Sequence, residues 1–115
     1  MQNLRRNLAY KTRILPSADF DLLESATFIA EKEQSHRPAR KWLVEMQRAV
    51  SEIRRTPKAF ARIWEEFEGS DRLQEIHRHS HRIIYTVDEA KKEVVIIRFY
   101  HSSRKPLSAK QIKFE

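Results

Sequence analysis

Between residues 39 and 53 the apolar side chains recur at helical spacing almost without error: Ala39, Trp42, Leu43, Met46, Ala49, Val50 and Ile53. A stripe of that regularity obliges the chain to supply a flat apolar surface for it to pack on. Pro38 suits the first helical position, where its missing N–H would have been unpaired in any case, and Thr56-Pro57 stops the run. The opposite face carries Arg40, Lys41, Glu45, Arg48, Arg54 and Arg55. The helix is therefore amphipathic and basic, and its apolar stripe reads more simply as a sheet-packing surface than as a membrane anchor.

The second half of the chain supplies that sheet. His81-Arg82-Ile83-Ile84-Tyr85-Thr86-Val87 is rich in β-branched and aromatic residues, Asp88 to Lys92 reads as a polar turn, and Val94 to Tyr100 is a second strand, apolar on both sides as a central strand is. Arg72 to His77 is a third strand after a turn at Gly69-Ser70-Asp71. Upstream, Tyr10 to Leu15 fits a short first strand closed by Pro16. Ala18, Leu22, Ala26, Ile29 and Ala30 then mark a helix near 18–33, with Asp19 and Asp21 in its first turn, where the dipole favours anions. Phe20 and Phe28 lie off that stripe, either packing at its margins or meeting a partner. The order strand, helix, helix, three strands predicts an α+β domain over residues 10–107, with two helices on one face of a mainly antiparallel sheet. A basic extension, 1–9, precedes it, and a short basic tail, 108–115, follows.

Composition narrows the chemistry. With no cysteine there is no disulfide, thiolate metal site or cysteine nucleophile, and a single glycine excludes the Gly-rich phosphate loops. No run is apolar enough for a signal peptide or membrane span, so the expected location is the cytoplasm, with no membrane partner and no cofactor. The net charge of +7 is arranged in blocks: residues 16–34 and 63–71 are acidic, and the remaining segments are basic. Such blocks place the excess on particular elements and point to an anionic partner.

The order and spacing of three segments resemble the RelE/ParE toxins of bacterial type II toxin–antitoxin modules. These are Ala18-Asp19-Phe20-Asp21-Leu22; Arg62-Ile63-Trp64-Glu65-Glu66-Phe67 leading to Leu73-Gln74-Glu75-Ile76; and His81 to Val87 followed by His101-Ser102-Ser103-Arg104, the most specific of the three. The resemblance covers roughly residues 10–107 and is closest to the ParE branch. It implies a toxin that inhibits growth and stabilises plasmids, neutralised by a cognate acidic antitoxin. The toxin would act on DNA gyrase without cutting RNA, and operator DNA would be contacted only through the antitoxin complex.

The RelE branch, whose members cleave ribosome-bound mRNA, is the first alternative. Such metal-free cleavage needs a base, an acid and a cationic clamp around one phosphate. The resemblance places the two lysines of that branch at Leu73 and Glu75, which cannot serve, and no tyrosine follows Tyr100. The remaining candidates are His77, His79, His81 or His101 as acid and base, with Arg82, Arg98 or Arg104 as the clamp. His77, His79 and His81 would share one side of an extended segment, whereas a tight turn at His79-Ser80, the geometry expected, would scatter them. Arg82 either clamps a phosphate or pairs with Glu65, Glu66 or Glu75. A non-toxic basic nucleic-acid-binding module is the second alternative, weakened by the lack of an aromatic stacking pattern.

Overall fold

The computed structural model describes residues 10–114; the basic extension at 1–9 lies outside them. Strand β1 spans Lys11–Ile14 and runs directly into helix α1, Pro16–Glu33. Pro16, read from the sequence as the end of the strand, is instead a first-turn residue of the helix, where its fixed φ is preorganised. Helix α2 spans Arg37–Arg55, and the strands β2, Gln74–Arg78, β3, His81–Asp88, and β4, Glu93–His101, follow. β2 starts later than the pattern suggested because Ser70–Arg72 forms a short 3-10 turn.

The sheet order is β1-β4-β3-β2, with β1 parallel to β4 and the other pairs antiparallel. β4 is central, as its two apolar faces required. One face of the sheet, through Ile76, Ile83, Tyr85, Val94, Ile96 and Phe99, packs on Trp42, Met46, Ala49 and Ile53 of α2 and on Ala18 of α1. The stripe that dominates the sequence is thus the one that meets the sheet. The opposite face, through Ile84, Val95, Ile97 and Tyr100, is covered by Ile63, Phe67 and Leu73 from the segment before β2 and by Leu107 and Ile112 from the segment after β4.

Two local features position the candidate residues. Register shifts between Ile84 and Tyr85, which lie opposite Arg98 and Ile96 and leave Ile97 as the extra residue of a β-bulge. The β2–β3 connection is a two-residue turn, His79-Ser80, with Arg78 opposite His81 and His79 at φ 56°. No helix among the described residues is long and apolar enough to cross a membrane.

Candidate functional site

The tight turn scatters the three histidines. His77 is exposed, with Nε2 3.3 Å from Glu75, while His79 reaches Glu45 on α2 at 2.8 Å. His81 alone turns inward, 3% exposed.

Arg82 and Arg98 are held by different carboxylates. Arg82 donates from Nε to Glu75 at 2.6 Å and from both terminal nitrogens to Glu65 at 2.7 Å. Glu65 also accepts the Leu107 N–H at 2.8 Å, so one buried carboxylate ties β3 to the segment after β4. Burial by itself would raise the Glu65 pKa, but the hydrogen bonds from Arg82 and Leu107 and the Arg82 charge outweigh it and hold the carboxyl below its usual value. Burial likewise opposes the charge on Arg82, and the two glutamates more than compensate. Of the choices open to Arg82 in the sequence, the structure makes the ion pair with Glu65 and Glu75. Arg98 forms a bidentate pair with Asp21 of α1, both contacts at 2.7 Å, and donates to the Gln111 carbonyl at 3.1 Å. The hydrogen bonds to Asp21 raise the Arg98 pKa. Asp21 also accepts the Phe99 N–H at 3.0 Å, pinning α1 to the strand just past the bulge.

His81, His101 and Arg104 are brought together. They line an open groove of about 790 Å³ between the C-terminal half of α1 and the ends of β3 and β4, with Ser25, Phe28 and Lys32 on its helical wall. His81 and His101 are directly opposite on neighbouring strands, and their rings meet edge to face with centroids 4.9 Å apart. The other side of His81 rests on Trp42, also at 4.9 Å. Its two nitrogens face the Ser25 and Ser80 hydroxyls at 3.2 and 3.1 Å. Burial first, then the nearby His101 and Arg104, push the His81 pKa down to about 4, against the opposing pull of Asp21. The imidazole is therefore neutral at pH 7 and a weak base.

His101 accepts the Ser103 N–H on Nδ1 at 3.1 Å, which leaves the ring proton of the neutral form on Nε2. Arg104 is half exposed and reaches Glu24 at 3.4 Å, a surface contact of little energetic weight. Among the described residues no cluster of three or more His, Asp or Glu side chains is placed to hold a metal ion.

From the sequence alone Asp21 reads only as a first-turn acid. It falls three residues after Ala18 and next to Leu22, on the buried stripe, and that position was the signal that it needed a cationic partner. Ser25 and Lys32 carried no signal, since only the tertiary packing sets them opposite the ends of β3 and β4.

The fold and the sequence have counterparts. No curated protein sequence matches the chain. The structure is similar to the toxin–antitoxin complex RelBE2 from Mycobacterium tuberculosis, with a TM-score of 0.58 and 20% identity over 81% of this chain and 98% of that one. At that identity the likeness speaks for the fold alone. The family model for the ParE toxin of the type II toxin–antitoxin system, parDE, matches residues 12–106, nearly all of the strand-helix-helix-sheet unit described above, and the chain belongs to this family of type II toxins.

Proposed function

We propose that this toxin arrests growth by binding DNA gyrase rather than by cutting RNA, and that a cognate acidic antitoxin neutralises it. The observation that carries the reading is the occupation of Arg82 and Arg98 by buried carboxylates. A phosphate clamp needs guanidinium donors free to swing onto the phosphate. Releasing Arg82 from Glu65 and Glu75 would leave two buried carboxylates uncompensated, at a cost of about 3–5 kcal/mol. Arg104 and His101 remain free to touch a partner, but with His81 neutral and enclosed they make a binding surface more readily than an acid–base pair.

The antitoxin reading rests on α2. Arg40, Lys41, Arg48 and Arg55 point away from the sheet and have no acidic partner among the described residues, whereas Glu45 and Glu52 on the same helix are taken by His79 and Arg78. That basic surface suits an anionic antitoxin segment, whose association it would accelerate. Operator DNA would be contacted through the antitoxin.

Supercoiling by purified gyrase, set beside the integrity of ribosome-bound mRNA, tests the proposal. The toxin should block supercoiling and leave the message intact. Cleaved mRNA, with cleavage lost in His101→Ala and Arg104→Ala, would overturn it in favour of the ribosome-dependent nuclease.

A further inference from the structure

The outer face of α1 carries Phe20, Leu23 and Phe28, which are 62%, 66% and 63% exposed. They are not scattered. Phe20 and Leu23 are one turn apart, Phe28 lies two turns beyond Phe20 where that face meets the groove, and Asp19, Phe20, Leu23, Glu24, Thr27, Phe28, Glu31 and Lys32 are all exposed. The inner face of the same helix supplies Ala18, Leu22, Ala26 and Ile29 to the core. α1 is therefore apolar on both sides, which in a protein of this size marks a surface meant to be covered. Large apolar side chains of this kind, buried together, can anchor an interface.

Charge decides what covers them. The chain as a whole carries +7, yet residues 16–34 hold five acids against Lys32 alone. Asp21 is consumed by Arg98, Glu24 has Arg104 3.4 Å away, and Lys32 flanks Phe28 at the groove; around Phe20 and Leu23 the exposed charges are Asp19, Glu24 and, further along, Glu31. A second copy docked face to face would set acid against acid, and an acidic antitoxin segment would meet the same repulsion. Both are better served by the basic surface of α2. We infer that the outer face of α1 docks the protein target of the toxin, and that the target presents an apolar surface rimmed by lysine or arginine. The inference rests on the reading that this toxin acts by binding.

Growth arrest on expression of the toxin alone, followed by gyrase supercoiling with purified protein, tests it. Two double variants separate the two components: Phe20→Ser with Leu23→Ser removes the apolar anchors, and Glu24→Lys with Glu31→Lys reverses the rim. Trp64→Ser, at an equally exposed aromatic in the segment before β2, is the control. Circular dichroism and thermal unfolding establish that each variant folds.

Each double variant should relieve growth arrest and weaken gyrase inhibition by about tenfold or more, with the control unchanged. Wild-type potency in Phe20→Ser with Leu23→Ser would overturn the inference, as would a wild-type dimer that this variant dissociates. If the wild type arrests growth without inhibiting gyrase, the gyrase reading fails while the docking face is still judged by which variants relieve arrest. A wild type that arrests nothing overturns both.

Discussion

The two helices of this toxin divide its work in a way their sequences half conceal. α2 has the cleaner pattern, with Ala39, Trp42, Met46, Ala49 and Ile53 buried on one side and cations on the other. α1 has almost no helical polarity, because apolar residues surround it and its buried set includes the charged Asp21. The helix with the strong signal holds the fold together, while the weaker signal marks the surface left over for another molecule. A helix that serves one neighbour can be strictly two-sided, whereas a helix that serves the sheet and a partner cannot.

The largest expected effect that sharpens this contrast is at Asp21. Asp21→Ala leaves the partly buried Arg98 without its carboxylate and the buried Phe99 N–H without an acceptor. The loss should be about 3–5 kcal/mol in urea unfolding. If the loss is below about 1 kcal/mol, α1 is not anchored through this pair and its attachment is apolar alone.

Next comes a matched pair of truncations. Met46→Ala removes a side chain of α2 that is 1% exposed, and should cost about 2–5 kcal/mol through the cavity left behind. Leu23→Ala on the outer face of α1 should change stability by no more than about 0.5 kcal/mol. Comparable losses at the two sites would erase the distinction between scaffold helix and docking helix.

A third prediction concerns the place where the two helices meet the sheet. His81 touches Ser25 of α1 and the Trp42 ring of α2, and its pKa is lowered from 6.5 to about 4. A histidine depressed in the folded state contributes fully at pH values above its unfolded pKa. Below that the unfolded chain takes up the proton first, so stability declines as pH falls from about 6.5 toward 4, by on the order of 2–3 kcal/mol in total. His81→Phe should flatten that part of the pH–stability curve. An unchanged slope in this variant would assign the decline to other groups.

How much of this could be read beforehand follows the range of the interactions. α2, the β3–β4 pair and the tight turn at His79-Ser80 are local patterns, and their residues announce them. Glu65 and Glu75 are among the partners the sequence offers Arg82, which alternation places on one face of its strand. The pairing of Arg98 with Asp21 was not legible, since it depends on the bulge at Ile97 and on α1 crossing β4. The groove was not legible either: Ser25 and Lys32 are distant in sequence from His101 and Arg104, and only chain packing brings them together. For Phe20 and Phe28 the sequence allowed margin packing or partner contact, and their exposure favours the second.

The smallest expected effect lies at the corner joining the two helices. Gln34 adopts the left-handed conformation at φ 55°, its N–H bonds to the Glu31 carbonyl at 3.3 Å, and Ser35 N–H bonds to Ala30 at 3.0 Å. This is the Schellman arrangement, in which glycine is usual because a Cβ strains the backbone. Gln34→Gly relieves that strain but forfeits the side-chain hydrogen bond from Nε2 to the Glu31 carbonyl and adds freedom to the unfolded chain. The relief should win by about 0.5–1 kcal/mol, read as a raised urea midpoint at unchanged slope. Because Gln34 belongs to neither the apolar face of α1 nor the basic face of α2, growth arrest should be unaffected. A lowered midpoint would mean that the side-chain bond to Glu31 outweighs the backbone strain, and that the corner is fixed by its glutamine.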